Sequence, residues 1–304
     1  MSSDLTFDLD FAPPPEAPEV LSPLVRRVVA GNGGPFTFKG TCSYIVGHGR
    51  VAIIDPGPDR PEHVAALLDA VRGETVTHIV VTHTHMDHSP ASRALAAATG
   101  APIVGCGPHR ASRELVLGET RTLEGSADLA YRPDREMREG DSIDGPGWTL
   151  EALATPGHTA NHLALVLPQE QALFSADHVM AWSTTVIGPP DGSMSDFMAS
   201  LEKLRGRSET IYWPGHGGPV TDPQRFVRAL IHHRRQREAS ILGRLAAGDR
   251  TIPAMVGAIY QNLAPALVPA AGFSIFAHLE DLVGRGLAVT DGPPRLDSEY
   301  RPAA

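Results

Sequence analysis

Cysteine is almost missing from this chain: Cys42 and Cys106 are the two among 304 residues. Two thiols cannot build a disulfide scaffold, although a single bridge between them stays open. So little cysteine fits a reducing compartment, and a cytoplasmic location is the expectation. Residues 1–10 have neither a basic start nor an apolar centre, so a secretory signal is not expected there. No stretch holds the roughly 18 continuous apolar residues of a membrane span, and no membrane partner is expected. Positive charge is also short, with 26 Lys and Arg against 35 Asp and Glu and a net charge of −9. Residues 222–304 carry 10 basic and 8 acidic side chains, which leaves −11 for the remainder. A domain that grips duplex DNA is usually far more basic, because phosphate contacts dominate its affinity. The remaining composition, 42% hydrophobic and 20% charged, is that of a soluble globular chain with a sizeable core. Its length suggests about two domains.

What the chain does have is histidine in one tight group. His83, His85, Asp87 and His88 stand in Thr82-His83-Thr84-His85-Met86-Asp87-His88, directly after the apolar run His78-Ile79-Val80-Val81, which reads as a buried strand. Side chains of an extended segment repeat every two residues, so His83 and His85 point to one side and can share an ion. Asp87 and His88 follow as the chain turns, and Ser89-Pro90 starts a helix. Imidazole and carboxylate are the mixed donors that zinc accepts. Three further motifs each follow a segment that reads as a strand: Thr155-Pro156-Gly157-His158 after 148–154, Ser175-Ala176-Asp177-His178 after 171–175, and Trp213-Pro214-Gly215-His216 after 210–213. Strand ends at one sheet edge converge in space, and open α/β sheets build their sites there.

With these residues in hand, the chain resembles the metallo-β-lactamase superfamily over about residues 36–218. The pattern of that family is HxHxDH, a later histidine, a bridging aspartate and a last histidine, and all seven positions are matched in order. The resemblance implies that His83, His85 and His158 hold one ion, that Asp87, His88 and His216 hold a second, and that Asp177 bridges them. It implies two zinc ions, with iron or manganese as alternatives, and an α/β fold, the αββα sandwich, with the metals at one sheet edge. It also gives Asp55, otherwise an ordinary turn former, the task of orienting a metal-ligating histidine. Where relatives commonly carry a Gly-Thr-Asn-like turn, this chain has Gly40-Thr41-Cys42-Ser43.

The rest of the sequence is read as scaffold. Residues 1–24 form a proline-rich arm and 25–221 the catalytic domain. Within it, Pro61–Arg72 is expected as an amphipathic helix on Val64, Leu67, Leu68 and Val71, and 91–98 as the helix after the histidines. The polar stretch 109–139 is expected as solvated loops and short helices over the site. Residues 179–192, apolar and then rich in Gly and Pro, either close the core or wall the substrate pocket. Only 38 residues separate Asp177 from His216, too few for a large inserted nucleic-acid-processing domain. From Asp222 helical periods take over: a long helix at 226–246, a second from Ile252, a third around Ile275–Val283, then a hairpin of 287–290 with 295–300. Three helices and a hairpin look like a winged helix at 222–304. Arg234, Arg235 and Arg237 on the long helix are read as a solvated face, with phosphate contact as the alternative.

Adjacent cations about 3.5 to 4 Å apart activate a water at neutral pH and hold a developing oxyanion, so hydrolysis is the expected reaction, with metal-bound hydroxide as nucleophile. Asp87, Asp177 and His178 are the candidates for its chemistry: Asp177 to orient the water and His178 to protonate the leaving group, unless His178 is a packed core residue. The domain order resembles the branch of the superfamily whose animal members cut single-stranded RNA, and RNA phosphodiesters are the first substrate expected. The acidic surface and the compact 179–192 segment favour the alternative, a small thioester, ester or lactone as in glyoxalase II-like enzymes. A non-enzymatic DNA-binding regulator is a third reading, disfavoured by the complete ligand set.

Overall fold

Alternation of apolar side chains builds two sheets laid face to face. The computed structural model describes residues 5–116, 126–261 and 263–303. The first sheet has the order β1 (Glu19–Val20), β2 (Val25–Val29), β3 (Cys42–Val46), β4 (Arg50–Ile54), β5 (Thr75–Val81), β6 (Ile103–Gly105) and β7 (Arg135–Glu136). Hairpin-like neighbours β1 to β4 pair antiparallel, whereas β4 to β7 run parallel. Parallel strands need crossovers, and helices α1 (Pro61–Ala70) and α2 (Ala91–Thr99) supply the first two of them. Pro61 pre-sets the first turn of α1, and Gly100 ends α2 in the left-handed conformation.

The second sheet contains β8 (Ser142–Gly145), β9 (Trp148–Ala154), β10 (Leu163–Leu167), β11 (Ala172–Ala176) and β12 (Ile211–Pro214), in reverse order from β12 to β8. Both of its faces are buried. On β10, Leu163, Leu165 and Leu167 join the core shared with the first sheet, while Ala164 and Val166 join the core under α3 (Met194–Arg205) and α4 (Pro223–Ala246). Each fully buried Leu or Phe contributes about 1.5–3 kcal/mol. Helices thus flank two stacked sheets, the αββα arrangement.

Direction of the strands locates the site. β9, β11 and β12 all point the same way, since β9 and β11 are each antiparallel to β10 and β12 is parallel to β11. Their ends deliver His158, Asp177 and His216 to one edge. β4 and β5 are parallel, with Ile54 opposite Val80, so Asp55 lies next to Thr82 and the histidine loop. The two sheets are tied at this edge, where Cys42 N–H donates to Gly215 O at 2.8 Å and Thr41 pairs with His216.

α4, α5 (Ile252–Ile259) and α6 (Val268–Gly284), with the hairpin of β13 (Ala288–Thr290) and β14 (Tyr300–Pro302), form the smaller C-terminal region. Their own core holds Ile241, Leu245, Met255, Ile275, Leu279 and Tyr300. Val227, Leu230, Ile231 and Ala277 instead pack into the core of the sandwich beside Phe197. The hairpin differs from the sequence expectation. Pro293 and Pro294 offer no N–H, the chain turns around the Tyr300 hydroxyl, which donates to Arg295 O at 2.6 Å, and pairing starts only at Tyr300. The 109–139 stretch also differs: Ala127, Asp128, Tyr131 and Met137 are buried and β7 extends the first sheet, while 117–125 lie outside the described residues. The helical run Pro265–Gly284 is long and apolar enough to cross a membrane, but the inner face of α6 packs into the two cores.

Candidate metal centre

Four histidines reach the site with one ring nitrogen already engaged, which decides what the other offers. His158 Nδ1–H donates to Val186 O at 2.8 Å and His216 Nδ1–H to Gly40 O at 3.2 Å. His88 Nδ1–H donates to Asp55 Oδ2 at 3.0 Å. Thr82 Oγ1–H donates to the same oxygen at 2.7 Å, leaving its own oxygen to accept from His83 Nδ1 at 3.0 Å. In all four rings Nε2 is therefore the nitrogen turned to the site. Asp55 can serve both His88 and Thr82 because it adopts φ 47°, a left-handed conformation that Asp tolerates.

The seven side chains expected from the sequence come together. His85 Nδ1 lies 2.9 Å from His158 Nε2, and the His83 ring stands 4.8 Å from His85 and 5.2 Å from His158. Asp87 Oδ2 lies 3.3 Å from His88 Nε2 and 3.1 Å from His216 Nε2. These are two compact donor groups, His83–His85–His158 and Asp87–His88–His216. Asp177 stands between them, its Oδ2 at 3.6 Å from His158 Nε2 and 3.3 Å from His216 Nε2. A third grouping, Asp55 with His83 and His88, is the hydrogen-bonded support just described.

Charge and unsatisfied atoms test whether metals fit. Burial keeps His83 and His158 neutral and pushes His85 down to about 3. Burial also acts on His88 and His216, yet Asp87 and Asp177 overcome it, raising His88 well above its usual range and His216 to about 9. The same pairs hold both aspartates well below the usual carboxylate range against the effect of burial. His83 Nε2, His85 Nε2 and Asp177 Oδ1 are buried with no hydrogen-bond partner among the described residues, a costly state for polar atoms. Neutral imidazoles facing one another and buried carboxylates that draw positive charge are the donor set of divalent cations. The two donor groups are consistent with two ions.

Several supporting groups were not singled out from sequence. Thr82 orients His83, and Thr41 Oγ1 donates to Asp87 Oδ2 at 3.3 Å. Gly215 is needed for space: a Cβ there would meet Asp177 Oδ1 at 2.2 Å and His88 Cε1 at 2.7 Å. Its place in Trp213-Pro214-Gly215-His216 was a legible signal; the carbonyls of Gly40 and Val186 had none. His178 sits elsewhere. Its ring packs 4.4 Å from Phe197, burial pushes it down to about 3, and it does not line the cavity at the metals, so the geometry gives it no path to a leaving group. His162 likewise faces inward, bonded to Thr155 Oγ1 at 2.8 Å.

Above the ligands lies a cavity of about 430 Å³. Phe36, Met86, Met180, Trp182, Val186 and Leu267 supply apolar walls, and among the described residues no Arg or Lys lines it. The 179–192 segment does both jobs expected of it: Met180, Trp182 and Val186 face the cavity, while Val179, Ala181 and Ile187 are core. The arginine run is not the continuous solvated face expected of it. Arg234 is buried, Arg237 lies over the Tyr260 ring at 4.1 Å, and only Arg235 stays on the surface, paired with Glu202 at 3.0 Å.

Comparison with known proteins gives the family. The family described as the metallo-beta-lactamase superfamily matches residues 36–216, and the beta-lactamase associated winged helix domain matches 251–293. The "Beta-lactamase-like protein 2 homolog" of Caenorhabditis elegans is 32% identical over 232 residues, 74% of this chain and 72% of that protein. The "Atrochrysone carboxyl ACP thioesterase" of Aspergillus fumigatus is 32% identical over 236 residues, 75% of this chain and 67% of that protein. In fold, a metallo-beta-lactamase family protein from Thermus thermophilus superimposes with a TM-score of 0.75 at 23% identity, covering 93% of this chain and 100% of that one. Two sheets meeting at an edge that carries two candidate metal-binding groups, followed by the winged-helix region, place the chain in the metallo-beta-lactamase superfamily, as a metal-dependent hydrolase.

Proposed function

We propose that the chain hydrolyses a thioester whose acyl group is uncharged and apolar, with zinc as its metal. The observation that carries this reading is the cavity wall: Phe36, Met86, Met180 and Trp182 beside the ligands, with no Arg or Lys among the described residues that line it. A polynucleotide presents several phosphates and requires cations to neutralise them, whereas an apolar acyl chain gains from aromatic and Met surfaces. The names of similar proteins support the same class, since the fungal relatives include several called atrochrysone carboxyl ACP thioesterase. Cys42 and Cys106, both free and buried, support a reducing, cytoplasmic setting.

His83, His85 and His158, and Asp87, His88 and His216, would hold two divalent cations, which when bound would supply Lewis acidity and lower the pKa of a water. The protein's part is to hold and orient. Asp55 and the Val186 and Gly40 carbonyls lock the imidazoles with Nε2 inward. Asp177, anionic between the two histidine groups, is placed to accept a proton or hydrogen bond from a water there. Trp182, stacked on Phe38 with ring centroids 4.9 Å apart, gives the acyl group a rigid wall and excludes solvent from it.

The test assays zinc-loaded protein against acyl thioesters of increasing chain length and against a labelled single-stranded RNA. Thioester turnover that rises with acyl length and barely changes with added salt is expected. RNA cleavage that falls steeply with salt, with no thioester turnover, would replace this reading by the nuclease one that the domain order resembles.

A further inference from the structure

One buried side chain of the helical region reaches the segment that supports the ligands. Arg234 on α4 is buried, and among the described residues no carboxylate pairs with it. An unpaired buried guanidinium is costly unless its N–H groups find acceptors. Two of its nitrogens find them on two elements, Nη2 donating to Thr185 O and Nη1 to Ser274 Oγ of α6 at 3.3 Å, while Nε has no partner among the described residues. Its plane also lies over the Phe197 ring of α3, 5.1 Å from the centroid. Burial lowers it to about 10, so it stays protonated at neutral pH.

The residue it grips is joined to both halves of the site. Thr185 Oγ1–H donates to Asp177 O at 2.6 Å and lies 3.2 Å from His178 O. The next carbonyl, Val186 O, accepts the His158 Nδ1–H at 2.8 Å. One short segment therefore anchors the backbone of the shared aspartate and sets the ring of a histidine in the first donor group. We propose that Arg234 is a positioning residue of the metal centre: by holding the Thr185 carbonyl from the helical region, it fixes the Val186 carbonyl that orients His158 and the Thr185 hydroxyl that anchors Asp177. The inference does not depend on which substrate is turned over. It makes the C-terminal region a working part of the ligand geometry rather than an appended module.

Cobalt(II) is the probe, because its visible absorption reports ligand geometry and chelator competition gives its affinity. Arg234→Met and Thr185→Val are each expected to bind cobalt about 10-fold more weakly or worse, the scale for losing an outer support of a ligand, with a changed absorption band. Arg235→Gln, on the surface, is expected to match the wild type in both. If Arg234→Met melts earlier but keeps wild-type cobalt affinity and spectrum, the side chain only packs helices together and the proposal is overturned. Should Arg234→Met fail to fold, Arg234→Gln, polar but too short to hold the Thr185 carbonyl, decides, with a wild-type spectrum and affinity as the overturning result. A wild-type chain that takes up no cobalt would overturn both this inference and the metal centre, an outcome distinct from a variant that merely behaves like wild type.

Discussion

Asp55 Oδ2 accepts from His88 Nδ1 at 3.0 Å while Asp55 Oδ1 accepts from the Thr82 N–H at 2.8 Å. One carboxylate at the end of β4 therefore braces the loop after β5 at two points. Asp55→Asn keeps shape and the left-handed backbone but can accept at only one oxygen. Metal affinity, measured by chelator competition, is expected to fall about 10- to 100-fold; unchanged affinity would remove Asp55 from the support of the site.

The two donor groups predict close to two zinc ions per chain by elemental analysis after loading, and activity lost on chelation. Asp177→Ala removes the side chain shared between them, so metal content and turnover should fall together. One ion or fewer in the wild type would reject the two-ion arrangement.

Gly215→Ala tests the packing at the centre. Its methyl would need the volume held by Asp177 Oδ1 and His88 Cε1, and the carboxylate must move. A displacement of about 1 Å costs about 100-fold in rate. Wild-type kcat/KM with full metal content would show that the edge accommodates the methyl.

Acid should weaken the C-terminal core through His278. Burial pushes this ring down to about 3, with Arg234 and Arg237 adding to the effect, and neither of its nitrogens has a hydrogen-bond partner among the described residues. The folded state therefore favours the neutral ring. Unfolded, His278 takes up a proton below its ordinary 6.5, so its contribution is fully present above that pH and is lost as pH falls toward 3. The slope is about 1.4 kcal/mol per pH unit in that window. His278→Leu should show a shallower fall in stability between pH 6.5 and 4 than the wild type; parallel curves would reject the assignment.

Ending the chain at Thr221 should give insoluble or inactive protein. The cut removes Val227, Leu230, Ile231 and Ala277 from the sandwich core and Leu267 from the cavity wall. Full activity of a soluble truncation would show that the sandwich completes its site alone.

Much of this was legible without coordinates. Ligand chemistry is written in local strings: a histidine cluster follows an apolar strand and three later motifs each follow another strand, and the resemblance to the metallo-β-lactamase pattern picks the seven side chains out of them. Helical period likewise marked α1, α4 and α5, because a buried face recurs every three or four residues. Tertiary structure decided what depends on distant segments meeting. Thr82, Val186 O and Gly40 O orient ligands through contacts up to 176 residues apart in sequence, and a backbone carbonyl carries no residue-specific signal. The arginine run looked solvent-facing because charge usually is, yet α4 turns Arg234 into the joint between helices, where carbonyl and hydroxyl acceptors replace water. His178 was a candidate proton donor unless it packed in the core, and the turn after β11 lays its ring against Phe197. The sequence by itself determined which groups could bind metal and so the class of reaction; which side of each strand faced the cavity, and hence its apolar wall, was settled only when the sheets and helices packed.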